Sequence, residues 1–112
     1  METGRIPEAI KHYEATVQIK PDYVEARNNL GNALLSAGRI SEAIEQFAAA
    51  VRLKPDYAEA YNNLGAALYQ AGRIKEAATQ FAAALRIKPD YADARANLER
   101  MQRLLPAAND QQ

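Results

Sequence analysis

Three asparagines that recur at intervals of 34 residues are the side chains best suited to binding chemistry in this sequence. They are Asn29, Asn63 and Asn97. A carboxamide both donates and accepts hydrogen bonds, so it can pair with a peptide group whatever the side chain of that residue. Each such bond contributes only about 0.5–1.5 kcal/mol. Three of them predict a weak grip that tolerates many peptide sequences.

The residue types that catalysis needs are missing or scattered. The single histidine, His12, stands beside Lys11 with no nucleophile next to it, and is predicted to be a solvated surface residue. The acids occur singly at predicted helix starts, and not as the converging pair that acid–base catalysis requires. The Ala-Gly-Arg-Ile segments do not match the phosphate loop G-x-x-x-x-G-K-[ST]. We therefore predict that the chain is not an enzyme and uses no cofactor.

The overall composition excludes several further classes of partner. Fourteen basic residues balance 14 acidic ones, and there is no cysteine. A balanced charge gives no net field that would attract nucleic acid or an acidic membrane surface, and a chain without cysteine has no disulfide and no thiolate metal site. No apolar run approaches the roughly 18 residues that span a bilayer. We expect no metal site, no nucleic-acid partner, no membrane insertion and a cytoplasmic location.

The elements that must position the asparagines come from an internal repeat. Residues 24–57 and 58–91 are identical at 24 of 34 aligned positions, with no gap. Gly-Arg-Ile recurs at the same interval, beginning at residues 4, 38 and 72, and Lys-Pro-Asp-Tyr begins at residues 20, 54 and 88. A fixed period of 20–50 residues indicates a stacked array of one supersecondary unit.

Each repeat is predicted to hold two amphipathic helices, because apolar residues return at three- and four-residue spacing. Asp22 and Asp56 are the expected N-caps of the first helices, and Gly38 and Gly72 their expected left-handed C-terminal caps. The second helix of the first complete repeat is predicted at about residues 41–53.

Small residues are expected where the two helices of a repeat cross. Gly31 is predicted to lie opposite Ala43, so that the two backbones approach closely, and Phe47 to fill the space between neighbouring repeats. The second complete repeat carries the same residue types at the same places.

The repeat frame gives the predicted domain boundaries. An array covers residues 1–105, made of a half repeat (1–23, second helix only), repeats 24–57 and 58–91, and a capping helix (92–105). Glu99 and Gln102 in the capping helix replace glycine and leucine, as an end that faces solvent requires. Pro106 is predicted to end this helix, and residues 106–112 to form a flexible tail.

These positions resemble the tetratricopeptide repeat, a helix–turn–helix unit of 34 residues. The motif stands as Leu30, Gly31, Leu34, Ala43, Phe47 and Pro55, and again as Leu64, Gly65, Leu68, Ala77, Phe81 and Pro89. Its opening aromatic survives as Tyr61, but Arg27 and Arg95 replace it elsewhere, which we expect to thin the packing. The resemblance implies an all-α, right-handed superhelical solenoid of antiparallel helix pairs.

The resemblance also implies a binding surface. In tetratricopeptide arrays the face of the first helices that lies opposite the Ala/Leu stripe lines the concave surface where extended peptides bind. The residues predicted to bind peptide there are Asn28, Asn29, Asn32, Asn62, Asn63, Tyr69, Asn97 and Arg100. The alternative is that these asparagines form only a solvated face, or hold the backbone of a neighbouring helix.

Two sub-families can be compared with this surface. The carboxylate clamp that grips chaperone tails needs Lys, Asn, Asn, Lys and Arg, at places that hold Asn28, Asn32, Asn63, Asp93 and Asn97 here. Only two of the five match, and Asp93 would repel a carboxylate. The repeats are more similar to the superhelical repeats of O-linked N-acetylglucosamine transferases, although no glycosyltransferase domain is included.

The predicted function is therefore a non-catalytic protein–protein interaction scaffold whose partner is an extended protein or peptide segment. One alternative is a self-association module that forms a homo-oligomer, because the half repeat is expected to leave Ile6, Ile10 and Tyr13 uncovered. The other is a substrate-presenting part of a larger enzyme, such as a glycosyltransferase.

Overall fold

The chain is built from α-helices. The structure, a computed structural model, describes the backbone of residues 5–110 and the side chains of residues 5–105. This part of the chain contains no β-strand, and its helices are α1 (Arg5–Ile19), α2 (Val24–Ser36), α3 (Ile40–Leu53), α4 (Ala58–Gln70), α5 (Ile74–Ile87) and α6 (Ala92–Asp110). The predicted all-α helical-repeat class is confirmed. Residues 1–4 of the predicted half repeat and residues 111–112 of the predicted tail lie outside the described residues.

The helices form two compact units, Met1–Pro55 and Asp56–Gln112. In the first unit α2 packs against both α1 and α3, and in the second unit α5 packs against both α4 and α6. The core of each unit is a stripe of alanine and leucine around one phenylalanine. The buried apolar residues of the first unit are Ile10, Ala26, Leu30, Leu34, Ala43, Phe47, Ala49 and Ala50. Those of the second are Ala58, Ala60, Leu64, Ala67, Leu68, Ala77, Phe81, Ala83, Ala84, Ala94 and Met101.

The glycines that end α2 and α4 confirm the predicted left-handed caps. Gly38 has a φ of 80° and Gly72 a φ of 82°, a conformation that costs other residues energy. After α2, the amide of Gly38 donates to the carbonyl of Leu35 (3.0 Å) and the amide of Arg39 to that of Leu34 (2.9 Å). This pair of bonds is the Schellman motif, which satisfies carbonyls that the helix end leaves without partners.

The predicted N-caps, by contrast, are wrong by one residue. Tyr23 and Tyr57 occupy the N-cap positions of α2 and α4, and neither makes a side-chain capping hydrogen bond. The amide of Tyr23 instead donates to the carbonyl of Lys20 (3.1 Å), which closes the turn that contains Asp22. The turn geometry, and not the aspartate side chain, therefore fixes where α2 begins.

The contact between Gly31 and Phe47 differs from the prediction. Phe47 was expected to fill the space between repeats, but its ring lies directly over Gly31 within the α2–α3 pair. A Cβ built on Gly31 would be 2.5 Å from Cε1 of Phe47, and one built on Gly65 would be 2.6 Å from Cε1 of Phe81. Each glycine therefore makes room for an aromatic ring of the same helix pair.

Arginine at the motif's aromatic position does not simply thin the packing. Nε of Arg27 donates to the carbonyl oxygen of Pro21 (2.8 Å), and Nη1 donates to Oε1 of Gln46 (3.1 Å). Arg95 makes the corresponding bond to the carbonyl of Pro89 (2.7 Å). The guanidinium thus ties the first helix of a repeat to the turn before it, a role that an aromatic ring could not have.

The last helix is longer than predicted. Glu99 and Gln102 are exposed, as expected for an end cap. However, α6 continues through Pro106 to Asp110, so the predicted helix end at Leu105 and the flexible tail from residue 106 are wrong for residues 106–110. Proline lacks the amide that would bond the preceding turn, and its ring crowds the carbonyl four residues before it. The residues after it keep their amides and can extend the turn.

Candidate functional site

The predicted binding residues of the first unit divide into one that is buried and two that are open to solvent. Asn29 and Asn32 are exposed on α2, whereas Asn28 is only 7% exposed. Successive residues of a helix point about 100° apart, so two adjacent asparagines cannot share one face. The expectation that Asn28 belongs to the open surface is therefore wrong.

The second unit repeats this division. Asn62, the counterpart of Asn28, is 9% exposed, and Asn63, the counterpart of Asn29, is half-buried. Tyr69 and Arg100 are exposed. The prediction that Asn62 faces a ligand is wrong for the same reason as for Asn28.

Asn62 has a structural role between α4 and α6. Its Oδ1 accepts a hydrogen bond of 3.1 Å from Nδ2 of Asn97, which is itself half-buried. The pKa of Tyr91 is raised, first by burial and then by the carboxylates of Glu59 and Asp93, while Asn62 opposes the rise. Asn97 therefore holds α6 against α4 through the side chain of Asn62, and not through the backbone of the neighbouring helix as the sequence analysis considered.

A groove lies between α1 and α2, along the side of α2 that exposes Asn29 and Asn32. Its volume is about 380 Å³, and Ile6, Ala9 and Tyr13 form its wall on α1. The residues that line it are Arg5, Ile6, Ala9, Tyr13, Asn29, Asn32, Ala33 and Ser36. A second depression of about 140 Å³ shares Tyr13 and Asn29 with the first and is lined further by His12, Thr16, Tyr23 and Ala26.

The groove was not predicted from the sequence, because the apolar residues of α1 indicated self-association. The available signal was the periodic position of Tyr13, which corresponds to Phe47 one repeat later. Phe47 is fully buried over Gly31, whereas Tyr13 is half-buried and borders both depressions.

Comparison with known families identifies the repeat. The family profile described as tetratricopeptide repeat matches residues 1–57 and again residues 28–92. The chain belongs to the tetratricopeptide repeat family. A comparison with curated protein sequences finds no match.

Three solved structures share the fold. The first TPR of Spaghetti (RPAP3), bound to the HSP90 peptide SRMEEVD, is 24% identical, with a TM-score of 0.89 over 94% of this chain and 83% of that one. MamA is 28% identical, with a TM-score of 0.87 over 92% of this chain and 60% of that one. YrrB, described as having an unusual peptide-binding site, is 27% identical, with a TM-score of 0.78 over 83% of this chain. This chain spans 48% of YrrB.

The three residues expected to drive self-association of this tetratricopeptide chain, Ile6, Ile10 and Tyr13, do not form an exposed patch. Ile10 is only 5% exposed, because α1 packs against α2, so its assignment to an open surface is wrong. Ile6 and Tyr13 are half-buried. Among the residues whose side chains are described, the most exposed large apolar one is instead Ile19, at 79%, followed by Tyr23 at 46%.

Two further classes of site find no support in the described residues. Within residues 5–105, no group of three or more His, Asp or Glu side chains is placed to hold a metal ion. None of the described helices has both the length and the apolar character needed to cross a bilayer.

Proposed function

We propose that this chain is a non-catalytic interaction scaffold that binds an extended peptide, with Asn29 as a contact residue of the first unit and Asn63 as a contact residue of the second. The observation that carries the proposal is the exposure of Asn29 and Asn32 along an open groove, while the adjacent Asn28 is buried. An exposed carboxamide on a groove wall can pair with the amide or the carbonyl of a bound peptide.

The similar structures support a peptide as the ligand. The first TPR of Spaghetti is described as bound to a peptide, and YrrB as having a peptide-binding site. At 24–28% identity these proteins give no guide to the sequence that this chain prefers. The carboxylate clamp stays disfavoured, since Asp93 is exposed where the clamp needs lysine.

The amides by themselves give little affinity. Two hydrogen bonds of about 0.5–1.5 kcal/mol each contribute roughly 1–3 kcal/mol. Association costs an estimated 4–15 kcal/mol in lost translational and rotational freedom, so side chains of the peptide must supply the rest. We therefore expect a binder to need at least one buried apolar side chain.

Peptide display on the immobilised chain tests the proposal. We expect Asn29→Ala and Asn63→Ala each to weaken the selected peptides by about two- to tenfold, the loss of one hydrogen bond. Gln18→Ala, which removes an exposed amide that lines neither depression beside Asn29, serves as the matched control. Affinities that both asparagine variants leave unchanged for every selected peptide would contradict the proposal.

Self-association is a second candidate, and the exposure of Ile19 and Tyr23 favours it. Light scattering over a hundredfold range of concentration measures it directly. If these residues join two copies, the molar mass rises with concentration and Ile19→Glu abolishes the rise, whereas Lys11→Glu does not. A constant monomer mass rejects this candidate.

A substrate-presenting role in a larger enzyme is the third candidate. Only the resemblance to the repeats of O-linked N-acetylglucosamine transferases supports it. The coding sequence on either side of this segment tests it, because a catalytic domain must be fused to the repeats.

A further inference from the structure

We propose that a groove between α1 and α3, with Arg27, Leu30 and Leu34 of α2 along its floor, binds a tryptophan from a basic segment of a partner protein. This α1–α3 groove lies on the other side of α2 from Asn29, so the inference does not rest on the proposed function. It assigns the chain a second interaction surface and gives the chemistry of its partner.

The α1–α3 groove is formed by three consecutive helices. Within the described residues, α1 and α3 both pack against α2 and not against each other, which leaves a space of about 590 Å³ between them. Val17 and Gln18 belong to its wall on α1, and Gln46 to its wall on α3. Leu30 and Leu34 line it from below and are buried. All three helices belong to the first unit, so the groove is complete within that unit.

The α1–α3 groove is separate from the depressions beside Asn29. Arg27, Leu30 and Leu34 follow one another at three- and four-residue spacing, so they share one side of α2. At 3.6 residues per turn, Asn29 and Asn32 lie on the opposite side of the helix. None of these three floor residues lines either depression beside Asn29. Occupation of one site therefore does not require contact with the other.

The floor of the groove lacks two aromatic rings that the repeat motif contains. The motif has tryptophan at the position of Arg27 and tyrosine at that of Leu34. The second complete repeat keeps a ring at the first of these positions, as Tyr61. In the first repeat a leucine and an extended guanidinium side chain stand there instead, and both line the open space. The groove therefore suits an aromatic side chain supplied from outside.

Arg27 favours an aromatic side chain over an aliphatic one. Its Nε donates to the carbonyl of Pro21 (2.8 Å) and its Nη1 to Oε1 of Gln46 (3.1 Å). Both bonds lie in the plane of the guanidinium, so they fix that plane and leave stacking as the further contact that the group can make. A cation is attracted to the face of a ring, most strongly to that of tryptophan. The indole N–H can donate to the exposed amide oxygen of Gln18.

The charge of the walls favours a basic partner. Glu14 on α1 and Glu42 and Glu45 on α3 are exposed and line the groove, and Arg27 is the one basic residue among its described lining. Arg39 already engages Glu42 through a bidentate hydrogen bond. The other two carboxylates stand on opposite walls, so a lysine on either side of the tryptophan can meet one of them. Exposed ion pairs contribute little each, so the charge selects the partner and the ring anchors it.

The test is an NMR titration of the isotope-labelled chain with the probe peptide acetyl-Lys-Trp-Lys-amide. We expect it to shift the side-chain amide signals of Gln18 and Gln46 and the methyl signals of Leu34, but not the side-chain amide signals of Asn29. Three control peptides assign the contacts. Alanine for tryptophan should weaken binding about tenfold or more, leucine for tryptophan about two- to fivefold, and glutamate for both lysines about tenfold.

Matched variants of the chain locate the site. Arg27→Tyr restores a ring to the floor and should weaken the probe peptide about tenfold or more, whereas Arg95→Tyr, which removes the corresponding hydrogen bond in the second unit, should leave it unchanged. Glu14→Gln and Glu45→Gln should each weaken it about two- to fivefold, and Glu8→Gln, at an exposed position of α1 outside the groove, should not. Circular dichroism checks that each variant is folded, and the glutamate variants decide the question if Arg27→Tyr is not.

Several results would overturn the inference. They are shifts confined to the Asn29 side of α2, an alanine or leucine peptide that binds as tightly as the probe, and the absence of any shift at about 10 mM peptide. Groove signals of the free chain that move on dilution would show that a second copy occupies the groove, and would overturn it as well. None of these results involves Asn29→Ala or Asn63→Ala, so the display experiment above decides the proposed function separately.

Discussion

The contact between Gly31 and Phe47 gives the sharpest test of how each helix pair is packed. A methyl group added at Gly31 would lie 2.5 Å from Cε1, 2.7 Å from Cδ1 and 2.8 Å from Cζ of Phe47. The ring is fully buried, so it cannot move into solvent. Forcing extra volume into a packed core costs about 1–3 kcal/mol.

The substitution Gly31→Ala also has a favourable part. Alanine is better than glycine in a helix interior by about 1 kcal/mol. The net loss in the free energy of unfolding is therefore only about 0–2 kcal/mol, the difference between the two effects. A single variant thus cannot separate them, and a double-mutant cycle with Phe47→Leu is needed.

In the Phe47→Leu background the smaller side chain relieves the clash, so the gain in helix propensity remains. We expect Gly31→Ala to become neutral or stabilising there, with a coupling between the two sites of about 1–3 kcal/mol. Urea unfolding followed by circular dichroism measures all four variants. Asn32→Ala, on the exposed side of the same helix, should gain up to about 0.7 kcal/mol in both backgrounds.

The cycle can refute this account. If the two substitutions add to within about 0.5 kcal/mol, the ring and the glycine are not coupled, and the close approach has no energetic consequence. A Gly31→Ala chain that is more stable than the parent protein by about 1 kcal/mol would show the same.

Three further predictions use other contacts. Ile10 is 5% exposed and Ile19, on the same helix, is 79% exposed. Ile10→Ala should therefore lower the free energy of unfolding by about 2–4 kcal/mol, and Ile19→Ala by less than about 0.5 kcal/mol. Equal losses in urea unfolding would contradict the assigned packing of α1. Asn62→Ala should be less favourable than Asn32→Ala by about 0.5–1.5 kcal/mol in the same assay, because only Asn62 loses a hydrogen bond, the one from the half-buried Asn97; equal effects of the two substitutions would remove its structural role. The bidentate hydrogen bond from Arg39 lowers the pKa of Glu42, so the stability that this pair contributes is fully present above the ordinary glutamate pKa of about 4.3 and is lost as the pH falls through the lowered value. Glu42→Gln should therefore lower the melting temperature above that ordinary pKa and not in strong acid. A difference from the parent protein that persists at about pH 2 would contradict this.

Much of the fold follows from the sequence because its signals are local. The 34-residue period, the three- and four-residue spacing of apolar residues, and the glycines after each first helix predicted the helix pairs and their C-terminal caps. Gly38 and Gly72 could be placed because a left-handed residue is required wherever a helix ends in this way. The apolar spacing and the caps depend on neighbours within a few residues along the chain, and the 34-residue period repeats the same local pattern.

The candidate site was only partly predictable for the opposite reason. The sequence predicted a row of asparagines. The packing of α2 within the first unit decides that Asn28 turns inward while Asn29 stays open, and the packing of α4 within the second unit buries Asn62. In the same way, contact with α2 buries Ile10 and leaves Ile19 exposed on the same helix. An amphipathic pattern indicates that a helix has a buried side. How far that side extends, and which polar residues at its edge are covered, depends on the neighbouring helices and is therefore decided by the tertiary structure.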